Sequence, residues 1–205
     1  MNKPIFCLVG ESGSGKSTYL DLILNSKKLN VKELKYFTTR RKRYAEENSY
    51  YFVNNDRFIK ELQSNNIIEH RDYSKYDEEV TYFTTYDNLN VPDCDGLICA
   101  ASVDQVLSYI KKLDNVYVID LKVELKERIK RLLDRAHTNE EVLEICRRVL
   151  EEQNEYEKLQ QVEKNIIHIY NDNTKYRFDN TGDVLYACVT TANLRTIIEY
   201  IKERI

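Results

Sequence analysis

The sequence predicts an α/β fold with a mainly parallel sheet flanked by helices, and three observations predict it. A short apolar run, a glycine-rich loop and an amphipathic segment follow one another directly at the N-terminus. Apolar runs and helical-period segments then alternate from residue 96 onward, the pattern of a parallel sheet covered by helices. Between residues 50 and 84 several short strands cluster instead, and these read as a small inserted β-rich lobe.

Residues 4–9 have the composition of a buried strand ended by glycine. Lys16–Leu24 has helical spacing, with Leu20, Ile23 and Leu24 on one side. Leu34–Phe37 reads as a second strand, and 40–49 as a charged loop or edge. Tyr50–Val53 is a short strand, and Asn55 caps a helix to about Ser64. Ile67–Glu69 and Val80–Phe83 read as strands on either side of a polar connection at 74–79. Gly96–Ala101 is the next strand, and Ser102 or Asp104 opens a helix to Lys112. Val116–Leu121 is a strand and Val123–Leu133 a helix. After a break at 134–139, a long charged helix runs from about Glu140 to Glu163. Ile166–Tyr170 and Tyr176–Phe178 read as strands around an Asn-Asp-Asn turn. Residues 183–191 fit neither pattern, and the last helix has Leu194, Ile197, Ile198 and Ile201 on one face.

The chain has 205 residues and a formal net charge of −3. This suits one domain (core 1–33 and 86–205, inserted lobe about 34–85) and gives no general attraction to nucleic acid or membranes. No apolar run approaches a membrane span or a signal-peptide core. The 5 cysteines lack paired metal-ligand spacing and fit reduced thiols of a cytoplasmic protein.

Gly10-Glu11-Ser12-Gly13-Ser14-Gly15-Lys16-Ser17-Thr18 matches the phosphate-binding loop G-x-x-x-x-G-K-[ST] in its strand–loop–helix context. Glycines let backbone N–H groups turn inward around an anion, and the helix N-terminus adds its dipole. Lys16 is expected to reach the β- and γ-phosphates of ATP, and the Ser17 hydroxyl to ligate Mg²⁺. Thr38-Thr39-Arg40-Arg41-Lys42-Arg43 follows a strand, with Tyr50 just beyond. Two guanidiniums and a phenol suit a second phosphate, although such a charge run taken alone reads first as a solvated basic loop.

With the loop upstream, Thr38-Thr39-Arg40-x-x-Arg43-x-x-Glu46, Tyr50-Tyr51-Phe52-Val53, Ile68-Glu69 and Tyr82-Phe83-Thr84 resemble the guanylate kinase family. So, more loosely, does Arg131-Leu-Leu-Asp-Arg135 followed by Glu140-Glu141-Val142. The resemblance runs to about residue 152. It implies a P-loop NTPase core with an acceptor lobe and a mobile lid at about 131–147. It implies ATP-dependent phosphoryl transfer to a nucleoside monophosphate, GMP or dGMP, with Mg²⁺. By resemblance, Thr38, Arg40, Arg43, Tyr50 and Tyr82 bind the acceptor phosphate, while Glu69 and Thr84 read guanine. Arg131 and Arg135 close over the ATP phosphates. Arg147 or Arg148 bridges donor and acceptor, with Arg147 assigned. Asn180 touches adenine, with Asn171-Asp172 as a rival. Its partners are small nucleotides, and the protein is a monomer or homodimer.

Two departures stand out. The family's Asp-x-Asp strand corresponds to Leu97-Ile98-Cys99-Ala100-Ala101, which has no carboxylate; Asp93, Asp95 and Asp104 lie outside it. A glycine has become Phe83. Either the base pocket has drifted or another carboxylate replaces the missing one, and Asp120 is open to a metal-shell or helix-capping role. The departures leave room for a different phosphorylated acceptor, or for a non-catalytic binding module.

Overall fold

The computed structural model describes residues 3–42, 44–75, 78–162, 164–171 and 182–205. The chain begins with β1 (Ile5–Val9), the glycine loop and α1 (Lys16–Leu24). β2 (Val31–Glu33) follows, then β3 (Phe37–Thr38), β4 (Tyr51–Phe52), α2 (Asn55–Gln63), β5 (Ile67–Lys75) and β6 (Glu78–Thr85). Next come β7 (Gly96–Ala100), α3 (Val103–Lys112), β8 (Val116–Lys122), α4 (Leu125–Leu133) and α5 (Asn139–Glu157). β9 (Ile166–Tyr170) and α6 (Gly182–Lys202) complete the described chain.

Five strands form a parallel sheet in the order β2-β7-β1-β8-β9. Both of its faces are covered, so β1 is buried throughout, as expected for a parallel sheet between helices. Ile5, Cys7 and Val9 pack with Val103, Val106 and Tyr109 of α3. Phe6 and Leu8 pack on the other face with Tyr19 and Ile23 of α1 and Ile197 and Ile201 of α6. The expected fold class is therefore present.

The second sheet runs β4-β3-β6-β5 and is built wholly from residues between 37 and 85. β5 and β6 are one long antiparallel hairpin, with a register shift between Ile67 and Glu69. Residues 74–75 and 78–79 belong to its ladder, which corrects the polar connection expected there. One face of this hairpin carries Glu69, Arg71 and Tyr73 opposite Thr84, Tyr82 and Val80.

Leu34–Phe37 is not one strand. The chain passes between sheets here: the Leu34 N–H donates to Ile98 O at 2.8 Å, and Tyr36 O accepts from the Tyr51 N–H at 2.8 Å. Helix starts also shift. Asn54, not Asn55, caps α2, its side chain accepting from the Arg57 N–H at 3.0 Å. Ser102 rather than Asp104 opens α3, in a reciprocal capping box with Gln105. Residues 183–191 fall within α6. The expected strand at 176–178 lies outside the described residues.

Candidate active site

The glycine loop needs backbone that side chains rarely adopt: φ is +82° at Gly13 and +100° at Gly15. A Cβ on Gly13 would come within 2.8 Å of Arg128 O, so α4 lies directly on the loop. Lys16 Nζ is held by the carbonyl of Gly10 and, at 3.4 Å, that of Glu11. Burial pulls its ammonium below the ordinary lysine range, against the attraction of Glu152. Ser17 and Thr18 are exposed. Ser14 is fully buried, and its hydroxyl has no partner among the described residues.

Three arginines surround this loop. Arg128, 4% exposed, pairs with Glu11 at 2.7 Å. Burial raises the Glu11 carboxyl, and Arg128 opposes that rise. Arg131 donates to Gly13 O at 3.2 Å and Asn171 O at 3.1 Å, while pairing with Glu127 at 3.1 Å. Arg148 donates to Ser12 Oγ at 2.6 Å. Glu152, one turn further along α5, accepts from the Ser12 N–H at 2.6 Å and from Ser12 Oγ at 2.5 Å. A carboxylate thus sits on a loop amide.

Arg147, the assigned bridging residue, faces away from the loop. It pairs with Glu144 at 2.8 Å and with Glu151, and is 54% exposed. The structure puts Arg148 at the loop instead. Arg135 is also exposed, beyond the C-terminus of α4. Asn171 is 5% exposed, with its amide donating to Ser14 O at 3.0 Å and accepting from Tyr19 OH at 3.3 Å; it buttresses the loop. Asn180 and Arg43 lie outside the described residues.

Beside the loop opens a cleft of about 220 Å³ lined by Lys16, Glu11, Ala100, Ala101, Arg148, Glu152, Glu155 and Tyr156, among others. The bare end of β7 forms one wall. Asp120 is fully buried, accepting from Tyr156 OH and meeting His168 Nδ1 at 2.7 Å. It pins α5 to the sheet; the capping position of α4 belongs to Glu124, which makes no side-chain cap.

The second-sheet residues form two further groups. Arg40 makes a two-point pair with buried Glu47, at 2.7 and 3.3 Å. Glu47 is therefore its carboxylate partner. Arg40 lies 5.7 Å from the Tyr50 ring centre, and the Tyr50 and Tyr82 rings are 5.3 Å apart. Thr38 is buried, and its hydroxyl accepts from the Arg40 N–H at 3.1 Å, shaping the turn that carries the guanidinium. Arg40 Nε is buried without a partner among the described residues. The other group is Glu69, Thr84, Gln105 and Tyr109, between β5, β6 and α3. Arg71 links these groups to the cleft, pairing with Glu155 at 3.1 Å and Asp104 at 3.2 Å.

Sequence reasoning did not single out Arg128, Glu47, Arg71, Glu152 or Gln105. Arg128 had a signal: it lies three residues before Arg131, on the same helix face, and Glu11 requires a counter-charge once the loop folds. No cluster of three or more His, Cys, Asp or Glu side chains suited to a metal occurs among the described residues. No helix among them is long and apolar enough to cross a membrane.

A five-stranded parallel sheet with a glycine-rich loop after its central strand, a flanking arginine helix and a small second sheet make up the architecture of a P-loop fold. The particular class follows from comparison with known proteins. The family model for guanylate kinase matches residues 1–181, and the chain belongs to the guanylate kinase family. Among solved structures it is similar to the guanylate kinase of Anaplasma phagocytophilum, with 16% identity and a TM-score of 0.51, covering 94% of this chain and 87% of that one. That likeness extends to the fold alone. No curated protein sequence matches the chain. Membership of this family supports nucleotide kinase activity.

Proposed function

We propose that the protein transfers the terminal phosphate of ATP to a nucleoside monophosphate, GMP or dGMP. The observation that carries this reading is the juxtaposition of three polar centres. They are a glycine loop with Lys16, an Arg40–Tyr50–Tyr82 cluster, and the buried Glu69 cluster, with Arg71 and Glu155 joining the acceptor face to the cleft.

The loop suits a polyphosphate. Its glycine conformations expose backbone N–H groups, and Ser14 Oγ and Arg128 Nε are buried polar atoms lacking partners among the described residues. On nucleotide binding Lys16 leaves the Gly10 carbonyl for phosphate oxygens, and Arg148 leaves Ser12. Mg²⁺, held through the Ser17 hydroxyl, would supply charge neutralisation on the phosphates. Arg128 and Arg131 act chiefly by holding the loop in shape. Arg135, exposed at the end of α4, belongs to the segment that would close over the cleft and exclude water, the competing acceptor.

At the acceptor, Arg40 keeps an unsatisfied Nε donor while Glu47 fixes its outer edge. This leaves a pre-oriented guanidinium for a phosphate, beside two phenols. The binding-module alternative has less support, because every part of the loop chemistry is retained.

The test is ADP release with Mg-ATP and a panel of GMP, dGMP, AMP, CMP and UMP. Turnover with at least one purine monophosphate is expected. Lys16→Ala should lower kcat by roughly 10²–10³-fold, the scale of losing one preorganised charge-stabilising donor. Near-normal turnover by that variant, or binding of Mg-ATP without transfer to any acceptor, refutes the reading.

A further inference from the structure

The buried cluster around Glu69 has a fixed direction of hydrogen bonding. Gln105 is the third residue of α3, and its Oε1 accepts from the Ser102 N–H at 3.0 Å and from Ser102 Oγ at 3.2 Å. A backbone N–H only donates, so the atom facing it is the amide oxygen and the other is nitrogen. That nitrogen donates to Glu69 Oε1 at 2.9 Å. Thr84 Oγ1 donates to the same oxygen at 3.3 Å. Its proton being spent, Thr84 receives the Tyr109 hydroxyl proton across 2.8 Å.

The consequence is a chain Tyr109→Thr84→Glu69 with both lone pairs of Oε1 occupied. Thr84 points its only donor inward. Glu69 Oε2 has no hydrogen-bond partner among the described residues, and Gln105 retains a second N–H. The cluster keeps two points for a ligand: one carboxylate oxygen and one amide N–H. The carboxylate missing from β7 is answered by this amide, about one helical turn past Ala101.

We propose that Gln105 is the specificity-determining residue of this pocket. With Glu69 it selects a purine monophosphate by a ring N–H beside a carbonyl, so that guanine and hypoxanthine are taken alike. The ring N–H meets Glu69 Oε2, and the 6-carbonyl accepts from Gln105. A 2-amino group finds no separate oxygen, because Oε1 is filled. Adenine presents the reverse order, setting its 6-amino group against the Gln105 N–H and its ring nitrogen lone pair against Glu69. This inference rests on the acceptor reading above and names its base class.

The experiment is calorimetric titration of the full chain with GMP, IMP and AMP, for wild type and Gln105→Glu. A glutamate at this position keeps the capping acceptor for Ser102 and replaces the pocket N–H by an oxygen, but it also sets a second carboxyl 2.9 Å from Glu69 Oε1, so it should melt lower than wild type. Gln105→Met removes the same N–H without adding a charge, is titrated beside it, and should show the same loss. Wild type should bind GMP and IMP within about threefold and AMP about tenfold or more weakly, since a site built to hydrogen-bond rejects a reversed edge. Gln105→Glu should weaken GMP and IMP by about tenfold, the effect of losing one donor to a buried partner, and narrow their advantage over AMP. A GMP preference over IMP above about thirtyfold, or a GMP:AMP ratio unchanged in the variant, overturns the proposal while leaving the kinase reading intact. Failure of all three nucleotides to bind wild type overturns the acceptor reading and the proposal together.

Discussion

Replacing Asp120 by Asn tests whether the sheet anchors the helix that serves the loop. Asp120 is fully buried, accepts from Tyr156 OH, meets His168 at 2.7 Å, and has Lys122 at 3.8 Å. Tyr156 belongs to α5, whose Arg148 and Glu152 reach Ser12 one to two turns earlier. Asn is nearly the same size, so the loss is electrical: one neutral oxygen remains, and an NH₂ faces a donor. Hydrogen bonds to a charged group contribute about 1.5–3 kcal/mol each. The His168 contact is partly solvated, so most of the effect falls on Tyr156. The total is about 2–4 kcal/mol, or roughly 5–15 °C in Tm for a chain of this length. Tyr156→Phe should cost about 1–2 kcal/mol. The double variant should fall short of the sum by about 1 kcal/mol, because the two residues share one bond. Scanning calorimetry of the four proteins measures this, and ATP titration of each shows whether the loop loosens with the anchor. Asp120→Asn within about 0.5 kcal/mol of wild type, or full additivity in the cycle, refutes the anchoring argument.

Three other outcomes are expected. Glu152→Ala removes the carboxylate seated on the Ser12 amide, and should tighten ATP by about 5- to 30-fold, roughly 1–2 kcal/mol; unchanged or weaker binding in a calorimeter counts against competition. Arg148→Ala should lower kcat by about tenfold or more, whereas Arg147→Ala, on a solvated face, should alter stability by less than about 1 kcal/mol and leave turnover alone. Burial holds the Glu69 carboxyl above its ordinary value, partly offset by Gln105 and by Arg71. On the proposed acceptor reading the ionised form receives the base N–H, so acceptor KM should stay flat at higher pH and rise as pH falls through that elevated pKa. Glu69→Gln should abolish the rise, and a flat wild-type profile would refute the assignment.

The strand–loop–helix unit was legible because three independent signals coincide there: a five-residue apolar run, an anion-binding glycine pattern and helical spacing. Leu34–Phe37 misled because its apolar residues record burial, and burial continues while the chain changes sheets. The β5–β6 hairpin was underestimated because its outer half carries polar residues, whose pairing leaves no hydrophobic signature. Choosing between Arg147 and Arg148 needed the phase of α5. The usual markers fail there, since Leu143 and Leu150 are each 69% exposed and place Arg147 on the wrong face. Thr84 is buried against Glu69, as its place opposite Glu69 in the ladder requires, but the direction of its hydroxyl depends on Tyr109 and on a helix cap about 20 residues away in sequence.

The seating of Glu152 on the loop has a thermodynamic consequence. In the empty protein the basic groups around Ser12 are already neutralised from within, so nucleotide entry exchanges one anion for another. Few small ions are released by such an exchange. ATP affinity should therefore depend on ionic strength much less steeply than the charge of the triphosphate implies, and removing Glu152 should restore the steeper dependence.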